Sequence, residues 1–94
     1  MTARILVVDD ILANVRLLEA KLSAEYFEVV TAMNGVDALE AVQRAKPDIV
    51  LLDVMMPGID GIEVCRRLKA DPATQHIPVI MVTSKGGESD RFWG

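Results

Sequence analysis

Two apolar runs in this chain end in acid. Arg4-Ile5-Leu6-Val7-Val8 leads into Asp9-Asp10, and Asp48-Ile49-Val50-Leu51-Leu52 leads into Asp53. A carboxylate is costly at the end of a buried hydrophobic run, so a strand that ends this way usually ends in a site. Carboxylates gathered on one rim of a sheet form a natural seat for a hard divalent cation, and Asp53 beside that cation could serve as a nucleophile. Clustered carboxylates also repel one another, which raises a pKa or demands a cation.

The elements that must position these acids can be read from periodicity. Arg4 to Val8 suits a buried parallel strand. From Ile11 to Ala24, Ile11, Val15, Leu18 and Leu22 share a helical face, while Asn14, Arg16, Glu19 and Lys21 mostly fall elsewhere. Phe27 to Thr31 reads as a half-exposed strand, Asn34-Gly35 as a turn, and Val36 to Ala45 as a helix with Ala38, Leu39, Val42 and Ala45 inward. Lys46-Pro47 stops that helix before the strand that delivers Asp53. Met55 to Gly61 is a loop whose Gly58 and Gly61 read as turn glycines. A helix over Ile62 to Lys69 buries Val64, Cys65 and Leu68, and Ile77 to Thr83 forms a fourth strand. Ser89 or Asp90 could cap a further helix.

Alternating strands and helices joined by short loops predict an α/β fold with a parallel sheet and helices on both faces. Ligands in such sheets sit beyond the carboxyl ends of the strands. Asp9, Asp10, Asp53 and Thr83 all stand there, so four polar residues from three strands face one crevice.

Composition narrows the function. The chain has 94 residues, 51% hydrophobic and 26% charged, with a net charge of -4. It reads as one domain. The acidic balance and the lack of a Lys/Arg cluster argue against a nucleic-acid surface. Arg66-Arg67 and Lys69 read as a solvated helix face, and the single Cys65 as a small core residue. His76 reads as a solvated loop residue. No signal peptide or membrane span is visible, so a cytoplasmic setting is expected.

In combination the motifs are specific. Ile5-Leu6-Val7-Val8-Asp9-Asp10, Pro47-Asp48-Ile49-Val50-Leu51-Leu52-Asp53, Met56-Pro57-Gly58-Ile59-Asp60-Gly61, and Ile77-Pro78-Val79-Ile80 leading to Thr83 span almost the whole chain. The chain closely resembles the receiver domain of two-component response regulators, the CheY-like family. Asp10-Ile11-Leu12-Ala13-Asn14-Val15 and Leu18-Glu19-Ala20-Lys21-Leu22 look especially like the first receiver of PleD-type diguanylate cyclases. The resemblance implies a flavodoxin-like parallel sheet with strand order 2-1-3-4, which is the order 2-1-3-4-5 that CheY itself illustrates without its fifth strand. It implies that Asp53 accepts a phosphoryl group from a phosphohistidine on a sensor histidine kinase or phosphotransfer protein. Asp9, Asp10, Asp53 and the backbone carbonyl of Met55 would bind Mg²⁺, and Thr83 would contact the phosphoryl oxygens.

The family's fifth strand, its Lys-Pro pair and its fifth helix have no counterpart here, so residues 1–94 are expected to form a carboxy-terminally truncated receiver. Lys85 is the nearest lysine in sequence, but it follows the fourth strand directly, and the family lysine's role is not carried over to it. Ser84 to Gly94 look closer to receivers of twitching-motility type. The exposed edge of the fourth strand and the first helix are expected to support a homodimer. The alternative function is a non-switching interaction module. A hydrolase is disfavoured because no second nucleophile or base accompanies the acids, and a flavin site because no Ser/Thr/Gly-rich loop follows the first strand.

Overall fold

Residues 2–82 are described by a computed structural model of the chain. The elements run β1 (Arg4–Val8), α1 (Leu12–Ala24), β2 (Glu28–Ala32), α2 (Gly35–Ala45), β3 (Ile49–Asp53), α3 (Gly61–Ala70) and β4 (Val79–Val82). All strand pairs are parallel and the order is β2-β1-β3-β4. This is the flavodoxin-like arrangement that the family resemblance implies.

β1 and β3 take the middle of the sheet. β1 is buried from Ile5 to Val8, whereas β2 and β4, at the edges among the described strands, are half-exposed. Side chains alternate across a strand, so Leu6, Val8, Val50 and Leu52 share one face. They meet Ala38, Ala41 and Val42 of α2 and Val64 and Leu68 of α3 in one cluster, which Met56 and Ile77 complete. Burying each Leu or Val contributes about 2 kcal/mol. Ile5 and Val7, of opposite parity, are also buried, as is Val15 of α1, and α1 packs on β1 and β2.

Arg4 fastens the end of the sheet remote from Asp9 and Asp53. Its guanidinium donates to the Ala45 carbonyl at the end of α2 and, at 3.2 Å, to Glu28 of β2. Its backbone N–H donates to Asp48 Oδ2 at 2.7 Å.

Several local expectations shift. Val15 is buried, but Ile11 is 39% exposed and Leu18 and Leu22 are only half-buried. α1 lies chiefly on β1 and β2, so only part of its apolar stripe meets the sheet. Asn34 and Gly35 are not a free turn. Asn34 caps α2, with Oδ1 accepting the Asp37 N–H at 2.8 Å, and Gly35 opens the helix. The side-chain bonding that favours Asn in turns also favours it at caps. Cys65 is half-buried against the core cluster, and His76 is exposed as expected. Ser89 and Asp90 lie outside the described residues.

The end of α1 carries local strain. The Tyr26 N–H donates to the Ser23 carbonyl at 2.9 Å and the Phe27 N–H to the Leu22 carbonyl at 3.1 Å. This paired pattern closes a helix through a left-handed residue, usually glycine. Here that residue is Tyr26, at φ 69° and 88% exposed. Tyr26→Gly removes the Cβ clash and is expected to stabilise the fold by about 1 kcal/mol in urea unfolding. An unchanged or lower midpoint contradicts this account.

A second prediction concerns pH. On α3, Arg66 and Arg67 donate to Glu63 at 3.0 and 2.8 Å. Led by the Arg66 bond, they lower its pKa from 4.5 to about 2. A carboxyl depressed in the folded state adds stability above its unfolded pKa and loses it as pH falls through the folded one. Glu63→Gln is therefore expected to lower the urea midpoint slightly at neutral pH, with the gap closing between pH 4.5 and about 2. A gap that does not change with pH contradicts the assignment.

Candidate metal centre

β1 and β3 are neighbours, with Val8 opposite Leu52. The residues that follow this pair, Asp9 and Asp53, therefore emerge side by side on the carboxyl rim, and Asp10 comes next. One carboxylate oxygen from each of Asp9, Asp10 and Asp53 lies within 4.8 Å of the other two. Asp9 and Asp53 are buried, at 3% and 1% exposure, and Asp10 is half-buried.

The two buried acids are held in the same way. Asp9 Oδ1 accepts the Ile11 N–H at 2.9 Å, and Asp53 Oδ1 accepts the Met55 N–H at 3.2 Å. Each aspartate thus bonds the backbone two residues on, turning the chain out of its strand. Asp9 Oδ2 also accepts from Asn14 Nδ2 at 3.2 Å, so the first turn of α1 orients the carboxylate. Ile11, rather than Asp10, occupies the N-cap of α1.

Of the three acids, Asp10 lines a cleft of about 510 Å³, together with Val54, Met55, Met56, Pro57 and Asp60. Met55 is exposed there while Met56 turns into the core. A second cleft, of about 280 Å³, lies near the opposite end of the sheet and includes Lys46, Asp48 and His76. Among the described residues, only Asp9, Asp10 and Asp53 form a group of three potential metal ligands. The chemistry therefore belongs to the first cleft.

The donor set selects the ion. Three carboxylates with no imidazole or thiolate suit a hard divalent cation such as Mg²⁺ or Ca²⁺. Like charges about 5 Å apart repel by about 3 kcal/mol per pair at an effective dielectric constant of 20, and a cation relieves this. The cleft that Asp10 lines leaves room for the waters that Mg²⁺ retains.

Thr83 and Lys85 lie outside the described residues. The residue before Thr83, Val82, pairs in register with Asp53, and the Val54 N–H donates to its carbonyl at 3.2 Å. Three contributors escaped the reading of the sequence. Asn14 steadies Asp9. Asp60 lines the cleft and caps α3, its Oδ1 accepting the Glu63 N–H at 2.9 Å, and the spacing Asp60-x-x-Glu63 is a capping signal that was there to be read. Gly61 is the first residue of α3 rather than a turn glycine. A Cβ on it would stand 2.2 Å from the Asp53 carbonyl oxygen.

Comparisons with known proteins agree with this architecture. The response regulator receiver domain family matches residues 5–92. The chain is 66% identical over its whole length to the response regulator PleD of Caulobacter vibrioides and spans 21% of that protein. It is 44% identical to protein PilH of Pseudomonas aeruginosa, over 98% of this chain and 76% of that one. Among solved structures, the N-terminal domain of a response regulator receiver protein from Methanoculleus marisnigri superposes with a TM-score of 0.87 at 40% identity. That alignment covers 99% of this chain and 78% of the other. A family match over nearly the full sequence, carried on a parallel sheet whose two central strands end in acid, makes this chain a member of the response regulator receiver domain family.

Proposed function

We propose that residues 1–94 act as a phosphorelay receiver, in which Asp53 takes a phosphoryl group from a phosphohistidine on a sensor kinase or phosphotransfer protein. The observation that carries this reading is the position of Asp53. It is a buried carboxylate at the end of a central strand, with an oxygen within 4.8 Å of those of Asp9 and Asp10, and the next residues, Val54 and Met55, line a cleft together with Asp10. The chain would be a phosphoacceptor rather than an enzyme acting on a separate substrate, and it would regulate a partner or output domain in the cytoplasm.

In the transfer, an Asp53 oxygen attacks phosphorus and the phosphorus–nitrogen bond of the donor breaks. The bonding pair leaves with the imidazole, which then takes up a proton, and the product is an acyl phosphate on Asp53. Bound Mg²⁺ would neutralise charge on the phosphoryl oxygens. The protein supplies the positioning. The Met55 N–H restrains one Asp53 oxygen, and Ile11 and Asn14 restrain Asp9. Asp9, Asp10, Asp53 and the Met55 carbonyl are the proposed Mg²⁺ ligands, and Thr83 the proposed phosphoryl contact.

Self-association is a further part of the proposal. Among the described strands β4 pairs only with β3, and Ile80 and Met81 on it are 48% and 40% exposed. An apolar strand edge is a template for another chain. A second copy meeting it and α1 would form a two-fold dimer.

Two outcomes are expected. Mg²⁺ and beryllofluoride should give a metal-dependent adduct, visible by fluorine NMR, that Asp53→Asn abolishes. An adduct that survives in the variant contradicts Asp53 as the acceptor. Size-exclusion chromatography with light scattering should report a dimer at micromolar concentration that Ile80→Lys weakens, and a monomeric wild type overturns the association.

A further inference from the structure

The loop 54–60 leaves β3 at Asp53 and returns at once, so that α3 begins against the peptide it has just left. The Gly61 N–H donates to the Val54 carbonyl at 3.0 Å, and the Val54 N–H donates to the Val82 carbonyl at 3.2 Å. Val54 is therefore held through its N–H to β4 on one side and through its carbonyl to the first residue of α3 on the other. A Cβ at position 61 would lie 2.2 Å from the Asp53 carbonyl oxygen, 2.8 Å from Val54 Cα and 2.9 Å from the Asp53 carbonyl carbon. All three are backbone atoms, which have no rotamer through which to escape.

The contrast within the same loop is informative. Gly58 has φ +75°, yet a Cβ there would meet nothing within 4 Å. Gly58 answers a need for unusual backbone torsion, whereas Gly61 answers a need for empty space beside Asp53. Asp53 is also coupled to the next peptide, because its Oδ1 accepts the Met55 N–H. Any shift of the 53–54 peptide therefore moves the Asp53 carboxylate and the Met55 backbone together.

We propose that Gly61 is the positioning residue of the acid cluster: its missing side chain sets where the Asp53 carboxylate and the Met55 carbonyl stand relative to Asp9 and Asp10. This rests on the reading of Asp53 as acceptor and metal ligand. Even the smallest side chain must lift the start of α3 or push the 53–54 peptide. The predicted cost falls on metal affinity and adduct formation, beyond any loss of fold stability.

The test compares Gly61→Ala with Gly58→Ala, both in the Tyr26→Gly background to offset lost stability at a remote site. Mg²⁺ alone is titrated by calorimetry, amide shifts of residues 53–55 are recorded without metal, and the beryllofluoride adduct is measured. Gly58→Ala should lower the urea midpoint and leave the Mg²⁺ affinity within a factor of about two of its background. Gly61→Ala should weaken Mg²⁺ binding by about tenfold or more, as loss of a support for a metal ligand does. It should also shift the metal-free amides of residues 53–55. Equal Mg²⁺ affinity in the two variants overturns the proposal, as does failure of Gly61→Ala to fold in that background, which would assign Gly61 to stability alone. If the parent chain itself binds no Mg²⁺ and forms no adduct, the receiver reading fails first and this inference fails with it.

Discussion

β1 and β3 lie side by side in one register, and that pairing sets the terms for the rest of the molecule. Val8 stands opposite Leu52, so the next residue of each strand is a carboxylate and the two emerge together. Both strands are central, which places Asp9 and Asp53 almost wholly out of solvent. A one-residue slip would exchange every side chain between the faces of the sheet, breaking the core cluster and the acid pairing together. Packing of Leu6, Val8, Val50 and Leu52 against α2 and α3 therefore fixes the site as well as the fold.

The backbone around the acids is shaped by small and capping residues more than by bulk. Gly61 admits the start of α3 against Asp53, and a Cβ on Gly35 would stand 2.6 Å from the Ile59 carbonyl oxygen. The loop that carries Met55 is thus bordered by the first residues of two helices. Asn34 and Asp60 cap those helices through the N–H groups of Asp37 and Glu63. Cap, close approach and loop lie on the rim where the carboxylates gather, while Arg4 ties down the opposite end.

Much of this was legible in the sequence because burial and chemistry coincide there. Unbroken apolar runs marked the central strands, their terminal acids marked the rim, and alternation with helices implied the parallel sheet. The helix starts were harder. Asn34-Gly35 and Asp60-Gly61 look like turns, because the residues that bend a chain are also those that begin a helix at close quarters. The α1 stripe was overestimated because a periodic pattern shows which residues share a face, not how much of that face is covered. Asn14 escaped because its partner, Asp9, lies in the preceding turn rather than on the helix.

The central claim is that Asp53 is the acceptor and that the neighbouring acids serve it through a divalent cation. Incubation with a small phosphodonor, with and without Mg²⁺, followed by reductive trapping of the acyl phosphate and peptide mass mapping, tests it most directly. The account predicts a single modified residue, Asp53, appearing only when Mg²⁺ is present. Modification at another residue, or at Asp53 to the same extent without metal, would contradict it.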